Sequence, residues 1–268
     1  MDLNRILTRI LGLGPPGRNV EVNPDDVFIV SYPRSGNTWL RFLIGNLVHS
    51  GPVDFRNIDD VICDIYQKGK LFIKSRTPPR FLKSHETFDH RYPKVVYLVR
   101  DPRDVCVSYY HYHLKNRWFD ENVNLNDFVV DFLQGNIRGN FGSWGENVGS
   151  WLGAGFGRSN FLLIRYEDLH EDTMEELKKV ADFIGINSSI EQLEEAITRS
   201  NVDNMRKLEQ EQFQDWSTTR GSDPRISFVR VADVGGWRKE LSEDLRRSIE
   251  NEWNDLMGKL RYLPSVGS

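Results

Sequence analysis

Short apolar runs recur along this chain, and each one ends in a polar cluster. Val27, Phe28, Ile29 and Val30 lead into Ser31 and a turn-rich loop; Phe81, Leu82 and Lys83 lead into Ser84 and His85. Residues 95–99 (VVYLV) lead into Arg100, Asp101 and Pro102, and residues 161–164 (FLLI) lead into Arg165, Tyr166 and Glu167. Runs this short, apolar at successive positions, predict strands covered on both faces. Between them the period changes to that of a helix. Trp39, Leu40, Phe42, Leu43 and Leu47 follow the first run. After the third, Asp101 as cap and Pro102 in the first turn open a helix carrying Val105, Val107, Ser108 and Tyr109. Helices are predicted at 173–184 and 191–199, an irregular polar region at 212–236, and a single closing amphipathic helix at 242–260.

Strands alternating with helices predict an α/β fold: a single domain with a central parallel sheet flanked by helices. In such sheets ligands bind beyond the carboxyl ends of the strands, where the polar clusters fall. The reading divides the chain into an N-terminal arm at 1–26 and a domain at 27–262. Ile6, Leu7, Ile10 and Leu11 give the arm a short amphipathic pattern. It reads as a surface helix packed on the domain, with docking to a membrane or partner as the alternative.

Charge and composition narrow the function. The formal net charge is -4, so no nucleic-acid partner is predicted and an anionic ligand needs a locally basic pocket. Cys63 and Cys106 are the only cysteines, without ligand spacing. They read as inert thiols of a reduced, cytoplasmic protein. No run approaches the ~18 apolar residues of a membrane-spanning helix.

The first strand–loop–helix unit carries the sharpest chemistry. Pro33, Arg34, Ser35, Gly36, Asn37 and Thr38 stand where backbone N–H groups and a helix N-terminus suit an anion. Gly36 allows close backbone approach. The GxxxxGK[ST] form of nucleotide triphosphatases is absent: Asn37 stands where that motif puts lysine, and the positive charge lies upstream at Arg34. The pattern fits a phosphate cradle that does not hold a magnesium triphosphate.

Residues 32–39, YPRSGNTW, resemble the 5'-phosphosulfate loop of the cytosolic-type sulfotransferases, usually written YPKSGTTW. Residues 97–110, YLVRDPRDVCVSYY, resemble their 3'-phosphate segment, with Arg100 and Ser108 at the arginine and serine positions. Lys83, Ser84 and His85 are similar to the family's K-T-H, whose histidine is the catalytic base. GSW at 142–144, YEDL at 166–169, and RVADVGGWR at 230–238 against RKGxxGxWK complete a series in family order.

The resemblance implies a fold related to nucleotide kinases, and 3'-phosphoadenosine 5'-phosphosulfate (PAPS) as sulfuryl donor. The product is then 3'-phosphoadenosine 5'-phosphate (PAP), with no metal required. It assigns His85 as general base, and Arg34 and Lys83 to the charge on the transferring group and leaving oxygen. Arginine at 34 keeps the usual lysine's charge but donates no proton. Ser35, Gly36, Asn37 and Thr38 are implied to hold the 5'-phosphate. Arg100, Ser108 and Arg230 are implied to hold the 3'-phosphate. Trp39, Tyr166 and Ser200 are implied to meet the adenine; a core position remains the alternative for Trp39.

Val231 and Ala232 depart from the lysine and glycine of the last motif, and Asn37 from a threonine. The family's dimerisation pattern, KxxxTVxxxE, would fall on 238–247, which read RKELSEDLRR. The oligomeric state therefore stays open. His111 and His113 continue a helix pattern and face different sides, which argues against a metal pair. Their aromatic neighbours suit an acceptor pocket.

A nucleotide-kinase-like phosphotransferase and a non-catalytic nucleotide-binding protein are the rival readings. Loops at 58–79, 116–126 and 212–227, with Phe72, Trp118, Phe119, Phe213 and Trp216, are predicted to shape the acceptor site. The acceptor is a small molecule or glycan with a hydroxyl, and the sequence does not choose among them.

Overall fold

A computed structural model describes residues 16–119, 123–230 and 233–263. The amphipathic segment around Ile6 to Leu11 and the departures at Val231 and Ala232 lie outside the described residues. The sheet has five strands in the order β2-β3-β1-β4-β5. They are β1 (Val27–Ser31), β2 (Cys63–Asp64), β3 (Phe81–Ser84), β4 (Lys94–Val99) and β5 (Phe161–Arg165). All the pairings are parallel, with Val30 opposite both Ser84 and Tyr97.

The parity of side chains explains the solid apolar runs. Phe28, Val30, Tyr97 and Val99 join a core on one face with Trp144 and Trp151. Val27, Ile29, Val96 and Leu98 join a second core on the other face with Leu40, Leu43, Leu177 and Leu193. Successive residues of one strand point to opposite faces, so a sheet covered twice needs apolar residues at every position. The four predicted strands are present. β2 was not predicted, because two residues, one of them an aspartate, carry no periodic signal.

In chain order the described helices are α1 (Asn37–Val48), α2 (Ile58–Val61), α3 (Lys70–Lys74), α4 (Pro102–Lys115), α5 (Leu125–Gln134) and α6 (Trp144–Gly155). There follow α7 (Tyr166–Glu171), α8 (Thr173–Ile184), α9 (Ile190–Arg199), α10 (Val202–Gln212), α11 (Glu243–Glu252) and α12 (Asn254–Lys259). Asp101 caps α4 by accepting from Arg103 N, with Pro102 in the first turn. Ser143 and Glu146 form a reciprocal capping box on α6.

The single closing helix is corrected to two. The chain breaks at Trp253, whose φ of -121° and ψ of 30° leave the helical region. Its indole turns inward against Trp144, 5.2 Å between ring centres, and Phe132, 5.3 Å. Burying that ring overrides the amphipathic pattern that runs through it.

Candidate active site

The loop after β1 bends in a way its residues dictate. Gly36 caps α1 at φ +98° and offers no side chain, so the opening N–H groups of the helix have no side-chain cap. A Cβ on Gly36 would lie 2.5 Å from the Tyr166 ring. Both the angle and the contact therefore require glycine. Ser35 is fully buried and its Oγ has no partner; Asn37 Oδ1 is likewise unpartnered, while Asn37 Nδ2 donates to Ser31 Oγ at 3.1 Å. A buried polar group left unpaired costs about 1–3 kcal/mol. Orphaned atoms beside an uncapped helix start suit a loop that takes a polar ligand.

Arg34 adopts φ +67° and sends its guanidinium between the rings of Tyr112 and Phe228, 4.6 and 4.5 Å from the ring centres. Its Nε donates to Ser108 Oγ at 3.2 Å and its Nη2 to the Phe228 carbonyl at 3.3 Å. Burial lowers its pKa to about 10, and the group stays charged at neutral pH. Arg34 and Ser108, 74 residues apart, thus meet directly.

Arg100 leaves β4 with its guanidinium over the Tyr166 ring at 4.2 Å. Its Nη2 donates to the Asp233 carbonyl at 2.8 Å, and its buried Nε has no partner. Trp144 Nε1 donates to the Arg100 carbonyl at 3.2 Å, which is the physical role of the tryptophan in the GSW triplet. Asp104 accepts from Gly235 N and Trp237 N at 2.8 and 2.9 Å and so docks the 233–237 loop on α4. Arg230 lines the same cleft and pairs with Glu240 at 2.7 Å. Trp39 is half-buried and meets Tyr166 edge-on, with ring centres 5.6 Å apart. Both line the cleft, and Thr38 lies beside them.

At the end of β3, His85 Nδ1 lies 2.7 Å from the Ser31 carbonyl. A carbonyl only accepts, so Nδ1 carries the proton and Nε2 is left as the basic nitrogen. Burial, and then the Lys83 charge, hold the imidazole well below its usual pKa, so it is neutral near pH 7. The Tyr66 ring lies parallel to it at 6.1 Å and Phe141 meets it edge-on at 5.4 Å. Tyr66 Oη accepts from His85 N at 2.9 Å and donates to Glu86 Oε1 at 3.0 Å. Asn147, itself held by Tyr97, donates to the His85 carbonyl at 2.9 Å.

Lys83 donates to Asp64 Oδ2 at 2.9 Å; the carboxylate is buried and the ammonium largely so. Burial lowers the ammonium pKa against the opposing pull of Asp64. Burial also works to raise the Asp64 pKa, but Lys83 and Arg41 outweigh it and the carboxyl ends lower than usual. The β2–β3 register, with Asp64 opposite Lys83, makes this pair.

One cleft of about 640 Å³ joins these groups. Its lining holds Arg34, Gly36, Asn37, Thr38, Trp39, Lys83, His85, Arg100, Ser108, Tyr166 and Arg230. Ser35 sits behind the loop, with its hydroxyl buried. Ser200 is not brought to the wall: it ends α9, is fully buried and accepts from Asn46 Nδ2 at 3.2 Å. Its neighbours Ile197 and Asn201 line the cleft instead. Of the predicted acceptor aromatics, Trp118 and Trp216 reach the lining, as does Tyr112. Phe119 packs on His113, Phe213 under Lys115 and Phe72 beside Lys68. Asp64, Tyr66 and Phe228 were missed, since only the fold brings them to Lys83, His85 or Arg34. His111 engages Glu240, and buried His113 sits among aromatic rings. Among the described residues no three His, Cys, Asp or Glu side chains converge as metal ligands. No described helix is long and apolar enough to cross a membrane.

Comparison with known proteins places the chain in a family. The 3-beta-hydroxysteroid sulfotransferase of Cavia porcellus is 30% identical over 237 residues, covering 82% of this chain and 79% of that protein. Sulfotransferase 1E1 of Bos taurus is 27% identical over 253 residues, 88% of this chain and 85% of that protein. Among solved structures, the mouse sulfotransferase SULT7A1 complexed with PAP superposes with a TM-score of 0.73 at 24% identity. That likeness covers 92% of this chain and 88% of the other, and it shows the shared α/β fold. The sulfotransferase domain pattern itself matches residues 24–261, nearly the whole length, and the chain belongs to the sulfotransferase domain family.

Proposed function

We propose that this chain transfers the sulfuryl group of PAPS to the hydroxyl of a small acceptor, releasing PAP. The observation that carries the reading is His85: neutral, its Nδ1 committed to the Ser31 carbonyl, its Nε2 left as base. It shares one cleft with a phosphate-type loop and with the Arg100 and Ser108 pair. Binding alone needs no such base.

PAPS supplies the sulfuryl group and a phosphate leaving group. The uncapped N–H groups at the start of α1 fit its 5' end. The free Nε of Arg100, with Ser108 and Arg230, fits its 3'-phosphate. Trp39 and Tyr166 offer rings to the adenine. His85 Nε2 takes the acceptor proton as the acceptor oxygen bonds to sulfur and the bridging S–O bond breaks. Arg34 and Lys83 meet the charge that gathers on the leaving phosphate and sulfuryl oxygens, as in other in-line transfers through loose transition states. Arg34 acts as a fixed charge and donates no proton.

The acceptor class follows the relatives: the Cavia porcellus protein is named for a hydroxysteroid, and a retinol dehydratase of the same fold is described with androsterone and PAP. A cytoplasmic location fits the name of a Danio rerio relative, cytosolic sulfotransferase 1. The domain boundaries we adopt are 27–262, after an arm at 1–26. The test is incubation with PAPS and a panel of phenols and steroid alcohols, with mass detection of sulfated product and of PAP. Equal amounts of both support the reading; PAP-free reactions across the panel, with no PAP binding, defeat it.

A further inference from the structure

The acceptor end of the cleft contains a cation that the transfer chemistry does not use. Arg138 lines the cleft with Gly139, Phe141 and Trp118, and its guanidinium lies 4.6 Å from the centre of the Trp118 ring. It is exposed, and among the described residues no carboxylate pairs with it. The other charges here cancel. Lys83 neutralises Asp64, and Arg18 neutralises Glu86, so these three cations face two carboxylates. Among these five described groups Arg138 is the cation left without a carboxylate, in a protein whose formal net charge is -4.

The segment that presents Arg138 is held at three points. Tyr109 Oη donates to the Arg138 carbonyl at 3.1 Å, Arg18 Nη2 to the Asn140 carbonyl at 2.6 Å, and Tyr32 Oη to the Gly142 carbonyl at 3.3 Å. The same segment places Phe141 against the His85 imidazole, 5.4 Å between ring centres. Arg138 is three residues from Phe141, so its Cα lies within about 11 Å of it. A guanidinium on an indole face is weakly hydrated and keeps its donors in a fixed fork, the geometry that takes a carboxylate, sulfate or phosphate group.

We infer that the acceptor is an anionic hydroxy compound: a body of one or two rings with its hydroxyl at His85 and a carboxylate or similar anion at Arg138. This rests on the sulfotransferase reading above and goes beyond it, since a steroid alcohol or retinol carries no charge. Arg138 is then a specificity-determining residue, remote from the reacting atoms.

The probes are 6-hydroxy-2-naphthoate and its neutral carboxamide, matched in shape, with 2-naphthol as the unadorned ring. PAPS-dependent sulfation of each is measured as kcat/KM, together with the PAP Kd, for the wild type, Arg138→Ala and Arg138→Lys. The wild type should favour the naphthoate over the carboxamide by about tenfold, as a charge-assisted contact provides. The ratio should fall to near one in Arg138→Ala and recover in part in Arg138→Lys, with PAP Kd unmoved. Equal rates for the naphthoate and its carboxamide in the wild type overturn the inference. So does a preference that survives Arg138→Ala, or sulfation of 2-naphthol but not of the naphthoate. Absence of both PAP binding and any sulfated product instead removes the sulfotransferase reading itself, and this inference with it.

Discussion

On one side of His85 the cleft wall comes from two strand-to-helix junctions, residues 32–39 and 100–108. On the other side it comes from segments far apart in sequence: Asp64 and Tyr66, Arg138 to Phe141, Trp118 and Phe228. The junction side is built from backbone and rigid ends. Gly36 is fixed by φ and by the Tyr166 ring, and Arg100 is pinned by Trp144 and the 233–237 loop. The segment side is built from side chains meeting across the sheet edge and loops. The first construction suits a ligand that never changes; the second leaves room to alter which hydroxyl is presented.

That contrast also makes the effects of mutation separable. His85 stands at the boundary, so His85→Ala should remove most of the rate while sparing the junction side. A loss of about 10²–10⁴ in kcat is expected, with PAP Kd within twofold. Steady-state kinetics and calorimetry on one preparation check both. If PAP binding collapses too, the two halves are not independent.

Asp64→Asn probes the segment side. It leaves the buried Lys83 ammonium without its partner, at a cost of about 3 kcal/mol of stability by denaturant titration. The Lys83 pKa, already lowered by burial, falls further once the Asp64 charge is gone. Unchanged stability would mean that Lys83 is solvated rather than held. Arg100→Ala probes the junction side and should weaken PAP by about ten- to a hundredfold, with stability nearly unaltered.

The smallest effect is on pH. In the folded protein burial holds His85 well below 6.5 and His113 at about 4. The unfolded chain takes up those protons near pH 6.5. Stability should therefore be flat above about 6.5 and decline as the pH falls toward 4. The rate should follow the same sign: His85 is already basic at neutral pH, so kcat/KM is level there and drops only on the acid side. An acid limb centred at or above pH 7 would contradict the buried, carbonyl-bonded imidazole.

What the sequence revealed divides along the same line. Four strands, the loop at 32–39 as a strand-to-helix turn, the Asp101 cap and the helix that carries Ser108 were readable because each is local, written in consecutive residues. Asp64 was not, since its tie to Lys83 is made by a two-residue strand 19 positions away. Tyr66 and Phe228 were missed for the same reason. The break at Trp253 escaped because an amphipathic period does not reveal that one ring will turn into the core. Ser200 was placed at the adenine by resemblance, and the fold turns it toward Asn46 instead.

The central claim is that the junction side is made for a nucleotide with a 3'-phosphate. Calorimetric titration of the protein with PAP, and separately with ATP and magnesium, tests it most directly. The account predicts binding of PAP without magnesium, weakened in Arg100→Ala, and little heat from magnesium ATP. Binding of magnesium ATP with none of PAP would contradict it and turn the fold toward phosphoryl transfer.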